Sequence, residues 1–398
     1  MNKKPILFSA LPSLLFALAA IQLQATPFDD SDRERRQCDE QCREQAANAP
    51  GAVFAMTNRT PNNEIVAFAR KADGTLFQTG RYSTGGNGIG VDFDTQGGLI
   101  LSPDHRFLYA CNPGSDNISV FAVRGSFLTL LQKIYAGDQP LSLTMSGNLL
   151  YVLDGSVAST SITGFRVAPN GTLTPLANSM KALSNPIAVP GQVAFSPDGK
   201  VLAVTQKVQG INGYTLDIFK IDSNGLPSDP IANRAAGVRP FAEAFRNDGR
   251  LLVIESGLPL FNNAGVSSYN VATASGTTSV ITNSAKNGQT DGCWIVITKN
   301  QTYAYTANFV SGTISSYLLY PDGRVTLING AAASQGLPSQ PTDLSFDADT
   351  RYLYNLLRGT GAVSAFRVES NGTLTPLGVF GAGSGLPVAD GASGLASY

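Results

Sequence analysis

The stretch GVRPFAEAFRNDGRLLVIES, residues 237–256, holds two side chains suited to chemistry. Arg239 offers a planar guanidinium that can grip a carboxylate or steady a developing oxyanion. Glu255 closes an apolar run, where partial burial would raise its pKa and suit it to general acid or base work. A guanidinium–carboxylate pair between them is the expected catalytic arrangement, and an inter-strand salt bridge is the structural alternative. Gln192, Lys207, Trp294, Asp343 and Arg358 are the expected substrate contacts, because each starts or ends an apolar run beside a polar loop. The single histidine, His105, sits in the turn SPDHR, where a sister turn SPDGK has Gly199. A serine-hydrolase triad therefore lacks its base, and a zinc site of several histidines is excluded. No dense acidic cluster invites calcium, so neither metal nor cofactor is expected.

These residues are set out by a repeat. The segment from Asp343 to Gly378 reads as four short strands with turn chemistry between them, including DADTR, RGTG and Asn371-Gly372. Six further copies precede it. Their second strands are VFAMTN (53–58), FLYACN (107–112), LLYVLD (149–154), VLAVTQ (201–206), LLVIES (251–256) and YAYTAN (303–308), against YLYNLL (352–357) in the last. The spacing is roughly 42 to 54 residues, as for propeller blades. The fold class is therefore all-β: a seven-bladed β-propeller of four-stranded antiparallel blades. The first copy begins at its second strand, and Gly394–Tyr398 is left over after the seventh. That C-terminal strand is expected to complete blade 1 and close the ring. Loops entering the inner strands, and loops from second to third strands, then gather at one mouth of the central channel. The candidate residues lie on those loops, and a loop-lined mouth is the default ligand site. His105 falls on the opposite face.

Composition agrees with one large strand-and-turn domain. Of 398 residues, 43 % are apolar, 14 % are charged and 41 are glycine. A net charge of -1 gives no field for nucleic acid or an acidic membrane. Residues 1–25 read as a signal peptide, with Lys3 and Lys4 ahead of an apolar run and Ala25 at a cleavage site. Residues 26–50 form a charged N-terminal segment, and 51–398 form the propeller. The protein is expected to be secreted or periplasmic, free of the membrane after leader removal, and monomeric. In an oxidising compartment Cys38 and Cys42 could form a local disulfide, while Cys111 and Cys293 are expected as buried thiols. Asn58, Asn117, Asn170, Asn300 and Asn371 begin glycosylation sequons, of which the last three lie in expected turns.

The phrases VAFSPDGKVLAV, DGRLLVIES and PDGRVTLI, and the tract CWIVITKNQTYAYTANFVSGTISSY, resemble the lactonase family of seven-bladed propellers. That family includes bacterial 6-phosphogluconolactonases and fungal 3-carboxymuconate cyclases, and the resemblance spans residues 50–398. Active members carry G-P-R-H before an inner strand and N-E-L after the next. Here Arg239 matches the arginine, Pro240 holds the histidine position, and Glu255 resembles the glutamate but falls earlier relative to the turn glycine. The resemblance implies an exported, divergent member acting on a small carboxylated lactone or sugar-acid lactone, by hydrolysis or cycloisomerisation. The alternative is a non-catalytic secreted propeller whose rim binds a protein or glycan.

Overall fold

Seven antiparallel sheets make up the molecule, each a blade running from an inner to an outer strand. The computed structural model describes residues 40–91, 93–156, 160–211, 213–388 and 391–398. The expected leader and Cys38 fall outside this range, and so does any Cys38–Cys42 bridge. Residues Arg43–Tyr398 form one compact unit.

Blade 5 shows the plan: strands Pro240–Phe245, Leu251–Glu255, Gly265–Ala272 and Thr277–Lys286, paired in that order. The second strand is wholly buried because neighbouring blades cover both of its faces. The outer strand mixes half-buried and exposed residues and has none fully buried, as a solvated edge should. Blade 3 departs from the plan, since its outer edge is split into Leu173–Pro175 and Lys181–Ala182, both on the third strand.

The seam forms as the leftover C-terminal segment suggested. Strand Leu395–Ser397 pairs antiparallel with Gly51–Met56, and blade 1 is completed from the far end of the chain. Asp343 on the inner strand of blade 7 accepts the Gly394 N–H at 2.9 Å and fixes where that strand begins.

A second set of bonds runs from blade to blade. The turn joining third and fourth strands carries a glycine at positive φ, such as Gly171, Gly225 and Gly372. Its carbonyl cannot reach a ladder partner, so the preceding blade supplies a donor. Tyr109, Tyr151, Tyr305 and Tyr354 donate their hydroxyls to Gly171, Gly225, Gly372 and Gly74 at 2.7–3.0 Å. At the other three junctions the second strand has no tyrosine, and Asn233 serves Gly276, Ser268 serves Gly323, and Tyr398 of the closing segment serves Gly125. Each of the seven junctions thus carries one such bond. His105 lies on this face, at φ 58 in its turn, and stacks on the Tyr398 ring at 4.9 Å.

Candidate functional site at the channel mouth

The inner strands begin at the mouth in a repeated way. The residue just before each of four of them is left-handed: Gln139, Arg239, Asp291 and Gln340, with φ of 56, 58, 62 and 46. The first residue of the strand pairs with the end of the second strand, and a bulge follows at once, as between Pro240 and Glu243. A non-glycine residue in this region costs about 1 kcal/mol or more, and such strain collects at functional sites. At Arg239 the strain is held by two flanking bonds, from Ser256 N to Arg239 O and from Gly257 N to Val238 O.

The chain between blades 1 and 2 does something the repeat does not foretell. Residues 93–98 cross the channel mouth instead of entering blade 2 directly. Thr95 donates its hydroxyl to Leu141 O of blade 3, and Gln96 N donates to Gly191 O of blade 4. The Gln96 side chain makes a double contact with the Ile295 backbone of blade 6, and Trp294 Nε1 donates to Thr95 O. The inner strand of blade 2 is left with three residues, Leu99–Leu101.

This crossing segment delivers Asp94 to two cations. Lys207 Nζ lies 2.6 Å from Asp94 Oδ2 and also bonds the Asp94 carbonyl. Arg239 approaches the same Oδ2 at 3.6 Å. The Lys207 side chain is only 2 % exposed, so its charge would be costly without this partner. Its ammonium also lies 4.5 Å from the Phe241 ring. Phe241 packs on Trp294, Trp294 on Phe309, and Phe309 under the Arg358 guanidinium at 5.2 Å. Lys207, Trp294 and Arg358 are therefore linked across blades 4 to 7 by a chain of tilted aromatic rings with a cation at each end.

Asp291 joins the same cluster. Its pKa is raised by burial, with the Cys293 thiol and Arg239 drawing it back down and Asp94 pushing it up. Cys293 donates its thiol to Asp291 Oδ1 at 3.3 Å. Burial first, then Asp291 and Asp94, push that thiol well above its usual range, so it stays protonated. Cys111 is likewise a buried thiol.

The remaining expected residues are placed differently. Glu255 is fully buried, and its Oε2 accepts the Ser284 hydroxyl at 2.7 Å from the outer strand of its own blade. This is the blade-internal position of Asn112 and Asn308, whose side-chain amides bond Ser119 and Ser315 on their third strands. Burial raises the Glu255 pKa to about 7 against the pull of Ser267, Ser284 and Lys286. Arg239 makes its ion pair with Asp94, on the channel side. Gln192 accepts the Glu243 N–H at 2.8 Å along the channel wall, and Asp343 belongs to the seam.

Two residues escaped the sequence reading. Asp94 lies in a connection with no counterpart in the other blades, so nothing marked it. Glu243 did leave a signal. Its register places it level with Leu143, Val193 and Leu344 of the other inner strands, yet it is an acid. It is 1 % exposed, and burial pushes its pKa well up against the weak pull of the Ala194 backbone N–H.

The sequence matches the family described as lactonase, 7-bladed β-propeller, over residues 59–190 and 241–337. No curated protein sequence matches it. Among solved structures it is similar to the periplasmic gluconolactonase PpgL of Pseudomonas aeruginosa, with TM-score 0.67 and 15 % identity over 87 % of this chain and 98 % of that one. It is also similar to candidate 6-phosphogluconolactonases from Bacteroides uniformis and Bacteroides fragilis. The first has TM-score 0.67 and 16 % identity over 87 % and 99 % of the two chains. The second has TM-score 0.62 and 19 % identity over 83 % and 94 %. At these identities the likeness is one of fold.

Proposed function

The chain belongs to the lactonase family of seven-bladed β-propellers, and on that premise we propose that it is an exported enzyme hydrolysing a small carboxylated lactone or sugar-acid lactone at the channel mouth. The observation that carries this reading is the convergence of Lys207 and Arg239 on one carboxylate oxygen. Two cations from adjacent blades, one buried and one partly exposed, form a ready holder for a carboxylate or a polarised lactone carbonyl. Asp291, beside Arg239, is the base. It takes a proton from water as the water oxygen bonds to the lactone carbonyl carbon. The ring C–O bond then breaks, and the departing alkoxide receives that proton, giving the hydroxy acid. Arg239 and Glu255 both serve, in different roles: Arg239 meets the substrate, and Glu255 is a positioning residue. A Cβ added at Gly237 would strike the Glu255 side chain, so the loop carrying Arg239 rests directly on it. The leader at residues 1–25 supports export.

The test is acid release in a pH-stat from the mature protein with glucono-1,5-lactone, its 6-phosphate and muconolactone. Turnover above spontaneous hydrolysis is expected with muconolactone, the member of the set that bears a carboxylate, and Arg239→Gln should lower kcat/KM by about 10²-fold or more. Background rates with all three lactones would overturn the reading. One observation favours the second reading, a non-catalytic rim binder. Segment 93–98 fills part of the mouth, and apolar side chains such as Ile187, Ile211, Phe261 and Leu337 stand exposed on loops of that face. Background rates together with retention of a glycan or protein would select it.

A further inference from the structure

The carboxylate gripped by Lys207 and Arg239 belongs to the protein itself. We propose that Asp94 is a tethered stand-in for the ligand's carboxylate, and that a carboxylate-bearing ligand enters by displacing the Asp94 side chain from Lys207 and Arg239. This rests on the reading of those two cations as the anion-holding pair.

The geometry separates what is fixed from what can move. On the C-terminal side of Asp94 the segment is pinned: Thr95 to blade 3, Gln96 to blades 4 and 6, Gly97 O to Leu143 N, and Gly98 O to Cys111 N. Asp94 sits at the tip, left-handed at φ 53, with its side chain 36 % exposed. Lys207 beneath it is 2 % exposed and Arg239 beside it 34 %. Rotation of the Asp94 side chain therefore vacates the carboxylate position on both cations, while the Asp94 carbonyl keeps its bond to Lys207 and the rest of the crossing segment stays in place. The exchange is neutral in charge: one carboxylate leaves Lys207 as another arrives. It also discriminates. A neutral ligand gives Lys207 no negative charge in place of the Asp94 carboxylate and leaves a buried ammonium with only a carbonyl partner, so it is rejected. A second anionic group finds Asp291 nearby and is disfavoured. The ligand class is thus a small monocarboxylate, such as an aldonate or a lactone bearing one carboxylate.

The probe is D-gluconate, titrated calorimetrically into the full mature chain. Asp94→Asn removes the competitor and leaves Lys207 and Arg239 in place. It should bind gluconate about tenfold or more tightly than the parent, since competition by a tethered group costs affinity in proportion to its occupancy. Adding Lys207→Met to Asp94→Asn should abolish the gain. Equal or weaker binding by Asp94→Asn overturns the proposal. If that variant does not fold by itself, refolding it in gluconate decides: recovery of soluble, cooperative protein supports the replacement, and continued failure refutes it. The enzymatic reading is judged separately, by lactone turnover of the parent chain. No turnover with the Asp94→Asn gain intact removes that reading and leaves this one; turnover without the gain does the reverse.

Discussion

Replacing Glu255 with glutamine should remove a pH dependence of stability that spans the range from acid to neutral. The carboxyl is fully buried, and its pKa rises from 4.5 to about 7 because burial penalises the charged form. In the unfolded chain it titrates near its ordinary value. Below pH 4.5 both states hold the proton, and the contribution is fully present. As pH rises the unfolded state releases its proton first, so stability falls, and the loss is complete once the pH has passed about 7. At about 1.4 kcal/mol per pH unit, the interval between the two values corresponds to roughly 3 kcal/mol. Glutamine keeps an acceptor for the Ser284 hydroxyl and has nothing to titrate. The measurement is urea unfolding of parent and Glu255→Gln from pH 4 to pH 9. The stability of the variant relative to the parent should grow by about 3 kcal/mol across that range and then level off. The comparison cancels the other raised carboxyls, including Asp154 and Asp217, which both proteins share. A difference that does not vary with pH would refute the claim that Glu255 is buried as a neutral acid.

Three other outcomes follow from the geometry. Glu243→Leu, which matches the leucine of blades 3 and 7, should stabilise the protein by about 1–3 kcal/mol in thermal or urea unfolding, because a buried carboxyl with no more than the Ala194 backbone to satisfy it is removed; destabilisation would show that its hydrogen bonding outweighs the cost of burying it. Tyr305→Phe should cost about 1–2 kcal/mol by leaving the Gly372 carbonyl without its donor, and unchanged stability would mean that water takes over. Expressed in a eukaryotic host, the chain should carry N-glycans at Asn170, Asn300 or Asn371, whose side chains cap exposed turns, and none at Asn58 or Asn117, which are buried; glycopeptide mapping decides.

Blade number, phase and the seam were legible in the sequence because each rests on local, repeated signals. Alternating apolar runs and turns of the SPDGK type recur in register, one blade predicts the next, and the surplus strand at the end was found by counting. What stayed hidden is non-local or unique. Asp94 is carried by a connection that no other blade has, and its partners lie more than a hundred residues away. Glu255 was readable as a strand-end acid, but the direction of its side chain depends on Ser284 across its own blade. The likeness of its position to Asn112 and Asn308 was the available clue. Glu243 could have been noticed by laying PFAEAF beside PLSLTM, PGQVAF and PTDLSF, where only one acid stands in the apolar column.

The glycine carbonyls with their donors from neighbouring blades make a hoop with no privileged starting point. The link spanning the two chain ends, Tyr354 to Gly74, is of the same kind and length as those within the chain. The location of the termini is thus an accident of connectivity that the finished circle does not register. Joining the ends and reopening the backbone at another outer loop should give a molecule with the same girdle and the same pore.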